Sequence, residues 1–301
     1  MQSTHEQSAA AAAALSANAR PQRSELSRIW RRFRRHRLGL AGLTFIGLLV
    51  VTALLADVLA PYSPIQSVSG MRGVGPSWSH PLGFDHIGRD ILSRIIFGTR
   101  IALIVGLGAT GIAVTIGVLV GATAGYFGGW VDNLLSRAVD TLMAFPTLVL
   151  LIALTAVVGP SLRTVVIVIG ATVWAQYARV VRADTLSLRE RDFTLAARVA
   201  GATNTRIILR HLVPNVLGPV IVLASLAVGG IIIYESTLSF LGLGIQPPEP
   251  SWGGMLADGR AYIVHYPYIA IAPGAMITLT VLAFNLLGDG LRDALDPRTR
   301  D

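Results

Sequence analysis

An all-helical membrane protein with six transmembrane spans is the fold class that this 301-residue sequence predicts, and three observations carry the expectation. First, 52% of the residues are apolar, only 14% are charged, and the mean hydropathy is +0.60. A soluble domain normally carries about 25% charged residues. Second, the apolar residues gather in runs close to the roughly 20 that a helix needs to cross a bilayer. Third, the 25 basic residues are all Arg and sit beside those runs instead of lining one folded basic face. The net charge of +8 therefore points to a lipid bilayer and not to nucleic acid. With no cysteine in the chain, disulfides, thiolate metal sites and cysteine nucleophiles are excluded.

Taken in order, residues 1–37 read as a cytoplasmic Arg-rich tail, with an alanine run at Ala9–Ala14 and eight arginines from Arg20 to Arg37. That composition predicts disorder passing into a membrane-surface segment. The first apolar run, 38–60, contains one charge, Asp57. A cleaved signal peptide has an apolar core of only 7–15 residues and a small-residue cleavage site. This run is longer, and its end, "VLAPYS", puts Val58 where a small residue is required. It reads as a retained leading span. Residues 61–99 are Pro/Gly-rich and polar, an extracytoplasmic loop. A core over 100–290 then holds spans predicted at 101–125, 141–158, 164–181, 216–237 and 268–287, with a loop at 182–215 and a tail at 291–301. Gly106, Gly108, Gly111, Gly117 and Gly121 would weaken a soluble helix, but in lipid small residues let helix backbones approach, and packing is their expected role.

Orientation follows from the arginines. With the N-terminus inside, the inner segments hold 19 of them and the outer ones six. Positively charged flanks stay on the cytoplasmic side, so both termini and the 182–215 loop are expected there.

That loop contains "FTLAARVAGATNTRIILRHLVPN", Phe193 to Asn215, a polar insert in an apolar chain. Phe193, Ala196, Ala197 and Ala200 fall at helical spacing. Gly201 then interrupts, a residue suited to the left-handed turn that ends a helix. Thr203 or Asn204 is placed to cap a second short helix with Ile207, Ile208 and Leu212, which Pro214 is expected to close. Read from its residues, the helix-turn-helix suits a partner's groove or a lipid headgroup layer equally.

The insert resembles the cytoplasmic motif of ABC importer permeases: Glu-Ala-Ala, three residues, Gly, nine residues, Ile-x-Leu-Pro. Ala196, Ala197, Gly201 and Pro214 match, while Leu195, His211 and Val213 stand where the motif has Glu, Ile and Leu. "HPLGFDHIGRDILSRIIFGTR", "DTLMAFPTLVLLIAL", "YESTLSFLGLGIQPPEPSWGGML" and "LAFNLLGDGLRDALDPR" are similar, in order, to the peptide/nickel branch of that family, and most to the second permease subunit of dipeptide and oligopeptide importers. The resemblance implies a type I ABC importer permease fold in the bacterial cytoplasmic membrane. It implies as partners a sister permease, two ABC ATPase subunits or one fused ATPase, and an extracytoplasmic solute-binding protein. The chain itself has no Lys and so no phosphate-binding loop. It is expected to be non-catalytic and without cofactors, with ATP and Mg bound by the partner ATPases. The expected cargo is di- and oligopeptides, with nickel chelates, glutathione or another small solute as the alternative.

Ala196, Ala197, Arg198, Gly201, Ala202 and Pro214 are then the expected ATPase-coupling residues. Asp85, Arg89, Asp90 and Trp252 are candidates for the outer mouth or for binding-protein contact. Residue types alone also allow a surface ion pair between Asp90 and Arg94, four apart, and an interfacial anchor at Trp252. Glu235, about 29 Å into the fifth span, is the candidate for contact with the cargo's amino group. The six scattered histidines offer no metal-ligand spacing. A gradient-driven secondary transporter is the rival class, but it usually needs carboxylates or broken helices at mid-depth, and the predicted spans are nearly free of charge there.

Overall fold

In the computed structural model residues 25–295 are described. The alanine run, Arg20, Arg23, Arg298, Arg300 and the expected disorder over residues 1–24 lie outside the described residues, whereas residues 25–33 of the same tail are an ordered helix because Phe33 is buried against the bundle. The elements in chain order are α1 (Glu25–Phe33), α2 (Arg37–Leu54), α3 (Ala56–Leu59), α4 (Ile91–Phe127), α5 (Gly129–Met143), α6 (Thr147–Val158), α7 (Leu162–Leu188), α8 (Asp192–Val199), α9 (Asn204–Ile207), α10 (Val213–Phe240), α11 (Trp252–Arg260) and α12 (Tyr268–Leu295). A π-helical turn, Ile208–Leu212, joins α9 to α10. The β structure among the described residues is one isolated bridge, Phe84 to Asp90. Among the described residues five helices are long and apolar enough to cross a membrane: α2, α4, α7, α9 with α10, and α12. The pair α5 and α6, bent by 86°, gives a sixth if it is taken as one broken span.

Each expected span has a counterpart, and the boundaries moved for identifiable reasons. The second was expected from residue 101. It begins ten residues earlier because Asp90 caps it, accepting from the Ser93 N–H at 2.8 Å and the Ser93 hydroxyl at 2.7 Å. The polar residues that made this approach look like loop are turned into the protein. The third was expected as one helix, but it breaks between Met143 and Thr147. Pro146 disfavours helical backbone at Phe145 and has no N–H to continue the ladder.

The fourth was expected to end near Arg179 and Arg182, yet α7 runs on to Leu188. Those arginines pair across to α5, Arg179 with Asp140 at 3.0 Å and Arg182 with Asp132 at 2.7 Å. The fifth was expected to start beyond a closing Pro214. Instead Pro214 sits inside continuous helix, because the preceding π turn lets Val213 N–H reach the Ile208 carbonyl and widens the ladder ahead of the ring. The last helix reaches Leu295 and carries Asp289, Arg292 and Asp293 in its final turns. Residues 25–33 are helical as well, with Phe33 buried.

Contacts along the helices sort the ends of the bundle. Tyr126, Arg189 and Asn204 meet at one end, where His36 also approaches Asp293. This basic end carries Arg31, Arg189, Arg198, Arg206 and Arg292. Ala53, Asp57 and Arg100 meet at the far end with Ile95 and Trp252.

The centre of the bundle is the pairing of α4 with α7. Gly117, Gly121 and Gly125 form one stripe on α4. A Cβ on Gly121 would lie 2.5 Å from the Ala178 carbonyl oxygen, and one on Gly125 would lie 2.7 Å from the Thr185 Cβ. The Ala178 and Arg182 carbonyls are helix backbone and the Thr185 Cβ is bonded directly to it, so none can retreat. Gly106 meets side-chain carbons of Val228 and Ile232 of α10, which would lie 3.1 and 3.2 Å from its Cβ, a looser fit, whereas Gly111 faces open space. Gly121→Val is therefore expected to cost about 1–3 kcal/mol by overpacking, seen as a lower melting temperature of the purified chain. Gly111→Val should leave it within error of wild type.

Candidate functional site

Two constellations stand at opposite ends of α4. At the basic end α8 stops in a left-handed turn at Gly201, φ +78°. The Gly201 N–H donates to the Arg198 carbonyl and the Ala202 N–H to that of Ala197, at 3.0 and 3.1 Å, the paired bonds of a Schellman ending. Thr203, not Asn204, caps the next helix, accepting from Arg206 N–H at 3.4 Å. Asn204 instead accepts from the Tyr126 hydroxyl at 2.8 Å. Tyr126 is on the last turn of α4 and packs with Ile207, Leu212, Ala197 and Ala202, while the Arg198 guanidinium lies 5.8 Å from its ring centre. The Thr194 hydroxyl donates to the Leu188 carbonyl at 2.9 Å, and Arg189 Nη1 to that of Gly125 at 3.2 Å. The whole turn is thus fastened to the ends of α4 and α7.

Of the residues expected in coupling, Ala197 and Ala202 face this seam half-buried, and Ala196, Arg198 and Gly201 are exposed. Pro214 is exposed in the continuing helix and does not border the turn. Phe193, Leu195, Ala196, Val199 and Ala200 leave an apolar strip uncovered, with Val199 90% exposed. A helix with one side bolted down and the other side small and apolar is suited to enter a groove.

At the far end Asp85, Arg89 and Arg94 are buried and form a charge cluster with the partly exposed Asp258. Arg89 Nε donates to Asp85 at 2.6 Å and Nη2 to Asp258 at 3.1 Å. Arg94 lies 3.7 Å from Asp85 and 3.8 Å from Asp258, and its Nη1 reaches the Pro64 carbonyl. The expected surface pair of Asp90 with Arg94 is not formed. Asp90 is committed to capping α4 and to His80 Nδ1 at 2.8 Å, so Arg94 turns to the other carboxylates. Asp258 was missed by sequence reasoning, since 169 residues separate it from Arg89 and no local spacing marks it.

Trp252, read as an interfacial anchor, is 1% exposed. Its Nε1–H donates to the Ile95 carbonyl at 3.1 Å, and the bare backbone of Gly98 makes room for the ring. Glu235 is equally buried. It accepts from the Ser239 hydroxyl at 2.7 Å and from Ser236 at 3.2 Å, and Ser239 in turn accepts from Ile245 N–H. Its carboxylate braces the turn between α10 and α11 and does not face an open surface. A cavity of about 190 Å³ lies between this turn and the charge cluster, lined by Arg89, Arg94, Gln246, Glu249 and Asp258 among others.

The chain was compared with known proteins. Residues 113–301 match the family described as binding-protein-dependent transport system inner membrane component, and residues 24–76 match the N-terminal TM domain of oligopeptide transport permease C. The chain is 43% identical over 263 residues to a dipeptide transport system permease protein DppC of Alkalihalophilus pseudofirmus, covering 86% of each. It is 44% identical over 261 residues to a glutathione transport system permease protein GsiD of Pectobacterium atrosepticum, again covering 86% of each. An oligopeptide transport system permease protein OppC of Haemophilus influenzae is 42% identical over 262 residues, 86% of this chain and 84% of that one.

Two outcomes are expected from this geometry. Arg89→Ala leaves Asp85 only the looser 3.7 Å approach of Arg94 as an ion-pair partner, and since full loss of a partner from a buried pair costs about 3–5 kcal/mol, a loss toward the lower end of that range is expected. The double variant Asp85→Asn with Arg89→Gln should melt well above it. Tyr126→Phe removes one hydrogen bond worth about 1 kcal/mol, and amide exchange over residues 192–207 should quicken by about fivefold while the spans stay protected.

Proposed function

The chain belongs to the binding-protein-dependent transport inner membrane components, and from that premise we propose that it is the permease subunit of an ATP-driven importer of di- and oligopeptides. It is a multi-pass inner-membrane protein whose energy comes from outside itself. The proposed assembly adds a sister permease, ATPase subunits on the cytoplasmic side and a solute-binding protein on the other. The observation that carries the coupling claim is α8, whose free strip of small and apolar residues lies opposite a face fastened to Tyr126. In this reading an ATPase groove takes that strip, and closure of the ATPases on ATP moves α8, α9 and the attached end of α4 as a rigid body. Ala196, Ala197, Arg198, Gly201 and Ala202 carry the contact and its turn. Leu195, 40% exposed, gives the groove an apolar grip where the family motif has a carboxylate.

At the far end the proposed outer mouth is shaped by Asp85, Arg89, Asp90 and Trp252. All four are buried, so they act by holding the loops 61–90 and 241–251 in place. Glu235 supports the same turn. Peptide cargo is supported by two of the similar permeases being named for dipeptides and oligopeptides, and the third is named for glutathione.

Gly201 tests the docking. Gly201→Ala and Gly201→Glu share the left-handed backbone penalty of about 1–2 kcal/mol, but only Glu thrusts a charged side chain into the approach. Both should insert into the membrane. Gly201→Glu should lose ATPase recruitment in a pull-down and at least tenfold of uptake, with Gly201→Ala far less affected. Recovery of the ATPases by Gly201→Glu at wild-type levels would sink the docking claim. Uptake that survives ATP depletion under a held ion gradient would replace the ATP-driven reading with a secondary transporter.

A further inference from the structure

The first span fixes where the lipid headgroups must lie. α2 and the short α3 run from Arg37 to Leu59, with Leu54 and Val58 still exposed at the far end. Apolar length is in hand there, so the N-terminal limit of the span is marked by the change from arginine to apolar residues. Leu38 is 59% exposed, as are Leu48, Val51 and Leu54 farther along by half or more, which gives α2 a lipid-facing side. Arg37, immediately before Leu38, is exposed too. The boundary between apolar core and headgroups therefore passes between residues 37 and 38.

The segment before it is held there and not left trailing. Phe33 is buried, and its ring lies against Gly39 of α2 and Gly290 of α12. His36 Nδ1 accepts from the Gly39 N–H at 2.8 Å, which leaves Nε2 to carry the proton facing Asp293, 3.4 Å away. The turn through residues 34–36 closes with the Arg34 N–H on the Trp30 carbonyl and the His36 N–H on that of Phe33, both at 2.9 Å. Arg31, Arg34, Arg35 and Arg37 all remain exposed. Trp30 stands among them, 52% exposed and stacked on Phe33 at 5.9 Å.

Exposed guanidinium groups on a backbone segment held at headgroup depth, with an indole beside them, have the chemistry of a phosphate-binding surface at a membrane interface. We propose that α1 and the turn to Arg37 form a binding site for anionic phospholipid headgroups. The occupant is a lipid phosphate in the leaflet that the N-terminal end of α2 reaches. The charge complementarity of the four arginines and the apolar boundary beside Leu38 favour lipid over a protein partner. This goes beyond the import function and holds whatever cargo the protein carries.

Trp30 reports on the site. The full chain in nanodiscs, read against Trp30→Phe, should show Trp30 emission quenched more by a brominated phosphatidylglycerol than by a brominated phosphatidylcholine present at the same fraction. Each arginine near an anionic surface contributes about fivefold in binding. Arg31→Gln with Arg34→Gln and Arg35→Gln should bring the two lipids to equal quenching, and the matching triple Lys variant should keep the preference. Equal quenching in the wild type would overturn the proposal. So would an absence of quenching by either lipid, the result expected if protein covers the face. The readout needs neither ATP nor cargo, so it fails or succeeds independently of the importer assignment.

Discussion

The close approach of α4 and α7 along Gly117, Gly121 and Gly125 is the constraint from which the rest of the bundle is positioned. Lipid tails are as apolar as leucine, so no hydrophobic force draws two helices together inside a membrane. Dispersion contact and backbone proximity must do it. A glycine every four residues lays a smooth groove on one face of α4, and Tyr177, Ala178, Val181 and Thr185 of α7 fill it. Once α4 is locked there, its remaining faces set the places of the others. Gly106 receives Val228 and Ile232 of α10, and Gly98 receives Trp252 from α11.

Because α4 has 37 residues, it is about 55 Å long and reaches past the bilayer core at both ends. At one end its Tyr126 holds the α8 turn, and at the other Asp90 and Arg94 organise the loop over residues 61–90. The two constellations are thus parts of one rod. Its middle offers apolar packing between those ends, so a displacement at α8 would travel as movement of whole helices. The proposed import mechanism requires rigid-body motion of this kind. The break at Pro146 and the π turn before Pro214 are irregularities in the helices beside it.

The parts of the site legible in the sequence were those built from neighbours in the chain. The turn at Gly201 is a local hydrogen-bond pattern between residues 197 and 202, and the cap at Thr203 spans three residues. Spacing alone could find both. The same logic misread Asp90 and Arg94, because four-residue spacing does not reveal that Asp90 is already taken by the helix N-terminus and His80. It misread Trp252 for a related reason. An indole next to prolines outside a span looks like an interface anchor until Gly98, far away in sequence, supplies a slot for it.

Composition and apolar run length determined the helical membrane class, the approximate spans and the distribution of arginines, because the cost of leaving backbone polar groups unpaired in lipid permits few alternatives. The periodic glycines told that helices meet, and the insert's own residues told its shape. Only the tertiary structure decided which helices meet, where each truly begins, and that Asp258 completes the charge cluster. Those outcomes depend on contacts between residues far apart in the chain, such as Arg89 with Asp258 and Tyr126 with Asn204, which no local pattern encodes.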